Sequence, residues 1–191
     1  MTKQNMQSEL AGKCLIAMPD MPDPRFQNSV IFLCAHSPEG AMGLIINKRV
    51  EDVKLTDLMD QLSIPQGTAG EEWPVYFGGP VEHGRGFVLH SSEYRSELST
   101  MEAGEEIAMT ATIDILEDIG AEKGPLSALI ALGYAGWGPG QLEQEIQGNG
   151  WLVVEADSDL VFGEKLEKKW QAAINKLGFD PGLLSSDLGH A

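Results

Sequence analysis

The sequence predicts a mixed α/β fold: one domain in which a mixed sheet is flanked by helices. Three observations lead there. Val30 to Ala35 is apolar on both alternating faces, the pattern of a strand covered from two sides. Stripes at helical spacing recur, as in Leu55, Leu58, Met59 and Leu62 and again in Leu166, Trp170, Ala173 and Leu177. Between them, glycine and proline break the chain at irregular intervals, so strands and helices do not alternate in strict βαβ order.

Taken in order, residues 1–12 are polar and expected to be loose, and Lys13 to Met18 is the first strand. Pro19, Pro22 and Pro24 end it, because proline lacks an amide donor and fixes its own φ. Ser29 to His36 is a central strand, Ser37-Pro38-Glu39-Gly40 reverses the chain, and Gly43 to Asn47 returns antiparallel. The helix over Leu55 to Leu62 turns Asp57, Asp60 and Gln61 outward, and a polar loop spans Pro65 to Glu72. Val75 to Phe77, Gly86 to His90 and Glu105 to Thr110 read as strands, while Ser92 to Leu98 has no clear pattern.

Thr112 is placed to cap a helix through Ile119 that ends at Gly120, with Ile115, Leu116 and Ile119 inward. Leu126 to Ala135 is either a buried strand or a strand with a short helical start. A helix over Gln141 to Gln147 starts behind Pro139 and stops at Gly148-Asn149-Gly150; Trp151 to Glu155 is a strand. Glu164 to Leu177 is the last helix, stopped by Gly178, and residues 179–191 form a Pro-, Gly- and Ser-rich tail. The globular part is therefore 13–178, and a chain of 191 residues buries about 70% of its unfolded surface, enough for a core without staples.

Charge narrows the function. The chain has 29 acids against 13 bases, a net charge of −16, which repels phosphate backbones and disfavours direct nucleic-acid binding. Cys14 and Cys34 sit in apolar runs without a secretory leader, so both are expected to be reduced and the protein cytoplasmic. The longest apolar run, Leu126 to Trp137, falls short of the roughly 20 residues that span a bilayer, so no membrane partner is expected.

Candidate chemistry is sparse. Cys34 and His36, two apart on a strand, should share a face, the geometry in which a base activates a thiol, although a buried cysteine beside a structural histidine gives the same pattern. His36 and His90 both end apolar strands and, with Asn47, can form a two-imidazole site for proton transfer or a metal; the spacing of a zinc motif is absent, so no metal and no cofactor are assigned. His83 and His190 are read as solvated. The Gly-rich turns are Gly78-Gly79-Pro80 and Gly136 to Gln141; the second opens a helix whose free amides can hold an anion, although Glu143 and Glu145 in its first turns already supply negative charge, and the alternative is that these glycines let the chain pack closely around Trp137. There is no Gly-x-Ser-x-Gly elbow and no Walker lysine. The residues placed at a ligand site are His36, Asn47, Gly79, His90 and Trp137, with the imidazoles as hydrogen-bond partners and Trp137 as an apolar wall; none is assigned as catalytic.

Several runs resemble one family in order along nearly the whole chain: Leu15 to Pro19, Asp23-Pro24, Ser29-Val30, His36, Gly40 to Lys48, Gly78-Gly79-Pro80, Gly86 to His90, Ala131 to Ala135, Trp137, Gly140 to Glu143, Trp151-Leu152 and the closing Gly189-His190-Ala191. They are similar to the YqgE/AlgH family of small bacterial proteins. The resemblance implies a cytosolic α/β protein with a mixed, partly barrel-like sheet flanked by helices and no accepted enzymatic activity. Some members of that family are linked to transcriptional regulation of exopolysaccharide (alginate) synthesis. Ala35 stands where relatives often carry a glutamate before the histidine, and a missing orienting carboxylate counts against an enzyme. The expectation is a regulatory or ligand-binding protein without catalysis, acting through an unknown protein or small-molecule partner. The alternatives are an enzyme with His36 or His90 as general base and a direct DNA-binding regulator.

Overall fold

The computed structural model describes residues 10–67 and 73–178. The expectations for residues 1–9, 68–72 and 179–191, His190 included, lie outside the described residues. Residues 10–12, expected to be loose, are tied down: the Gly12 amide donates to the Leu33 carbonyl (2.8 Å) and Leu10 packs on the apolar side chains below it.

Ten strands form one sheet: β1 (Lys13–Ala17), β2 (Val30–Ser37), β3 (Gly40–Ile45), β4 (Arg49–Lys54), β5 (Pro74–Phe77), β6 (Val81–Ser91), β7 (Met101–Glu102), β8 (Ile107–Thr110), β9 (Ala128–Trp137) and β10 (Trp151–Glu155). The order is β10-β1-β2-β3-β9-β6-β8-β7, antiparallel throughout, with β4 paired to β5 and β5 running parallel to β9. The sheet curls into a half-barrel. Helices α1 (Leu55–Gln61), α2 (Asp114–Gly120), α3 (Gln141–Gln147) and α4 (Lys169–Lys176) cover it.

Alternation along each strand sorts the apolar side chains into three clusters. Cys14, Ile16, Phe32, Leu44, Leu89 and Ala131 point into the curl, where Ala173 and Ile174 of α4 and Leu160 and Val161 of the preceding π-turn (Asp159–Gly163) plug it. Leu15, Ile31, Leu33 and Ile45 point outward under Leu142 of α3. Val88 and Ile130 point outward under Leu55 and Met59 of α1 and Ile115 and Ile119 of α2. The expected two-sided strand at Val30 to Ala35 is thus covered from within by α4 and from without by α3.

The differences from expectation have local causes. Arg49–Lys54, too charged to read as a strand, pairs as β4 at the rim, and β6 extends back to Val81 through an exposed bulge opposite Gly133. Leu126 is 86% exposed and the apolar run behind it is strand from Ala128, with no helical start. The final helix begins only at Lys169, after a single 3₁₀ turn (Leu166–Lys168). Leu62 falls just past the end of α1 and is 47% exposed rather than packed. Thr112 does not cap α2; its hydroxyl donates to the Asp114 carboxylate (2.6 Å).

Two contacts hold the curl. At the junction of β5, β6 and β9 the backbones of Gly78, Gly79 and Gly133 touch, and a Cβ on any of them would meet a backbone atom at 2.1–2.3 Å. Gly133 also has φ +74°, in the left-handed region. Inside, the fully buried Lys169 donates to the carbonyls of Ile46 (2.9 Å) and Val161 (2.7 Å) and stands 5.1 Å from the Tyr76 ring centre, joining α4 to the end of β3 and to β5; among the described residues no carboxylate is in ion-pair contact with it. Burial pushes its pKa down to about 8 from 10.5.

Gly133→Ala is expected to lower unfolding stability by about 3 kcal/mol or more, read from urea midpoints, because it adds left-handed strain and a backbone clash together. Lys169 shapes the alkaline limb. The folded chain releases this proton near pH 8 and the unfolded chain near 10.5, so stability rises with pH in between, by up to about 3 kcal/mol. Cys14 and Cys34 act oppositely: burial raises each thiol from 9.0 to about 12, so the unfolded chain loses those protons first and stability falls. Denaturation midpoints should therefore climb from pH 7.5, peak near pH 9 and decline, and Lys169→Met should abolish the climb.

Candidate functional site

The five residues expected at one ligand site are not gathered around one hollow. His36 and Trp137 border a hollow of about 720 Å³ at the unplugged end of the curl. Asn47, Gly79 and His90 do not line it.

Asn47 staples the start of β2: its Oδ1 accepts from the Val30 amide (2.8 Å) and its Nδ2 donates to the Asn28 carbonyl (2.7 Å). Gly79 serves the backbone junction described above, a close-packing role rather than a ligand-binding one. His90 is fully buried on β6. Its Nδ1–H donates to the Ser91 carbonyl (3.0 Å), so Nε2 is the acceptor and takes the Thr110 hydroxyl (2.8 Å), which in turn accepts from Thr100 (2.9 Å). Burial holds the pKa of His90 below its usual value, outweighing the Ser91 carbonyl and Glu93, which act the other way. A neutral imidazole with both nitrogens engaged and Tyr94 packed edge-on at 5.2 Å is a structural histidine.

His36 is different. A bulge between Leu33 and Ala35 interrupts the pairing of β2 with β3, so the Cys34 and His36 side chains do not share a face. Cys34 packs inside the curl with Phe32, and burial raises its thiol pKa, while the His36 ring meets α3. The thiol–imidazole pair that the spacing allowed therefore does not form, and Cys34 is the buried apolar residue that the alternative described. His36 Nε2 donates instead to Glu143 Oε1 at 2.6 Å, and Nδ1 is buried without a hydrogen-bond partner. The carboxylate that Ala35 fails to supply thus comes from another element. Sequence reading took Glu143 only as a first-turn acid of its helix; its place shortly after Trp137, where the pairing of β9 with β3 ends, was the available signal. A carboxylate on one imidazole nitrogen leaves the other as a base, the arrangement of many general bases. Here the His36 side chain is only 1% exposed, so the ring does not open onto the hollow that its backbone borders.

The hollow itself is lined by side chains that sequence reading did not single out: Met42, Met101, Met109, Phe87 and Tyr134. Met101 and Met109 are direct cross-strand partners on β7 and β8, and Phe87 packs edge-on against Tyr134 with ring centres 5.7 Å apart. Arg85 lies over the Phe87 ring at 5.2 Å and 3.5 Å from Glu82 at the rim. Trp137 borders the far side and stacks edge-on against Trp151. Among the described residues no group of three or more His, Cys, Asp or Glu is placed to hold a metal ion. No helix among them is long and apolar enough to cross a membrane.

The profile of the AlgH-like family matches residues 14–182. The chain belongs to the AlgH-like family. It is 55% identical over 193 residues to a UPF0301 protein of Jannaschia, covering 100% of both chains, and 54% identical over 183 residues to one of Cereibacter sphaeroides, covering 96% of this chain and all of the other. The solution structure of the AlgH protein from Pseudomonas aeruginosa superposes with a TM-score of 0.79 at 40% identity over the full length of both chains. A Corynebacterium diphtheriae protein shares the fold, with a TM-score of 0.72 at 21% identity over 93% of this chain and 92% of that one. The AlgH-like fold is thus a single mixed α/β unit built on a curled half-barrel, as the residues and the resemblance led us to expect.

Glu143→Ala is expected to lower stability by about 1–3 kcal/mol, because it leaves both nitrogens of a buried ring unpaired; Glu143→Gln, which keeps an acceptor, should cost less. Thermal or urea unfolding of the two variants provides the comparison.

Proposed function

We propose that this AlgH-like protein is a cytoplasmic binding protein without catalysis of its own, and that the open end of its curl takes a small ligand with an apolar body. One observation carries the reading: three of the chain's eight methionines converge with Phe87 and Tyr134 on a single hollow, while both candidate base imidazoles are sealed. Thioethers adapt their shape to a guest and rings supply flat contact area, the composition of permissive apolar sites. Arg85 at the rim fits an anionic end group on such a ligand.

A regulatory role follows from binding rather than from DNA contact. A ligand held by the native state alone stabilises it, by about 2.7 kcal/mol at a hundredfold excess over Kd, and can thereby shift how the protein meets a partner. Any effect on transcription would be indirect, since a net charge of −16 opposes a duplex. The enzyme alternative requires His36 or His90 to reach a substrate, and neither ring is accessible.

Anilinonaphthalene sulfonate, apolar in body and anionic at one end, is the test ligand. It should fluoresce on binding to the native protein and raise the thermal midpoint, and Met42→Asp or Arg85→Glu should weaken it at least tenfold. Binding unchanged in both variants would overturn the assignment of this hollow.

A further inference from the structure

A second hollow, of about 220 Å³, opens on the outer face of the sheet where α1 ends and α2 begins. It opens on the other face of the sheet from the hollow in the curl and shares only Phe87 and Ala111 with that hollow's lining. Val88 and Ile130, its floor, alternate with Phe87, Leu89, Leu129 and Ala131, which pack inward. Leu58 and Leu62 form one wall, Ile113 and Leu116 the other.

Leu62 is 47% exposed and Ile113 43%, so two of the five large apolar side chains exposed among the described residues bracket this one hollow. Exposed apolar side chains are ordinary when scattered; paired across an apolar depression they mark a contact surface. Access is open as well, because Gly84 and Gly86 at its border have nothing within 4 Å of where a Cβ would stand.

The surrounding charge identifies the partner. Among the described residues no charged side chain lines the hollow, yet the two helices that wall it carry Asp57, Asp60, Asp114, Glu117 and Asp118 and not one base. Asp114 is engaged by Ser96 and Thr112, and Asp118 by Tyr94. Glu117 is exposed one turn after Ile113, and Asp57, which accepts from the Lys54 amide at the start of α1, is exposed one turn before Gln61, so carboxylates border both walls.

We propose that this slot docks an amphipathic, basic helical segment of another protein, with large apolar anchors on one face and lysines or arginines flanking them. The anchors fill the depression, the flanking cations meet the carboxylate rims, and the net charge of −16 speeds encounter with a cationic partner while repelling acidic ones. The anchoring side chains Leu58, Leu62, Ile113 and Leu116 do not line the hollow in the curl, so the two surfaces can be tested separately.

The experiment uses the full chain and a fluorescein-labelled synthetic Leu/Lys helix of about 18 residues, long enough to fold on contact. Its control has the same composition, scrambled so that the leucines share no face. Anisotropy should show the ordered peptide binding at least tenfold tighter than the scrambled one. Leu62→Ser with Ile113→Ser should erase that difference while leaving the thermal midpoint and anilinonaphthalene sulfonate binding unchanged, and Glu117→Lys should weaken the ordered peptide alone. Equal binding of the two peptides, undiminished binding by both variants, or equal binding of a Leu/Glu helix would overturn the proposal. So would binding to phosphatidylglycerol vesicles that depends on Leu62 and Ile113 when the peptide does not bind, which would assign the surface to a bilayer.

Discussion

The fold depends on a place where three chain segments approach backbone to backbone. Gly78 and Gly79 end β5, Gly133 sits inside β9, and none of the three has room for a side chain. This contact lets β9 change neighbours along its length: its first part lies between β5 and β6, and its last part, from Ala135 to Trp137, pairs with β3. Because β9 joins the two halves of the sheet, the curl, the clusters on its faces and the hollow at its open end are all set by a contact that excludes anything larger than hydrogen.

Much of this was legible in the residues. Val30 to Ala35 announced a strand buried on both sides, and the helix over Gln141 to Gln147 and the strand over Trp151 to Glu155 lie where proline and glycine punctuation put them. Less visible was whatever depends on long-range register. The bulge at Cys34 reverses which face His36 occupies, and nothing in the local pattern signals it. Lys169, charged and within a basic run, reads as solvated, yet distant carbonyls at Ile46 and Val161 draw it inside. Gly78 and Gly79 read as a Gly-rich turn, and only the register that brings them against Gly133 shows the close packing they serve.

The two strand-end histidines show how similar local sequence acquires different chemistry. Cys34-Ala35-His36-Ser37 and Val88-Leu89-His90-Ser91 end alike, but His90 is closed into a chain of hydroxyls and a carbonyl, and His36 into a carboxylate on one side only. Neither imidazole is presented to solvent. The exposed chemistry of the molecule is instead soft and apolar: thioethers and rings in the curl, aliphatic side chains in the outer slot, both bordered by charge.

The pairing of β1 with β10 reaches across most of the chain, Lys13 opposite Glu155, and the plug of the curl comes later still, at Ala173 and Ile174. A ribosome makes these pieces after the strands they cover. Until they emerge, the inward face of β1, β2 and β3 has no cover, so the nascent chain carries an open apolar trough that closes only once β10 and α4 have been made.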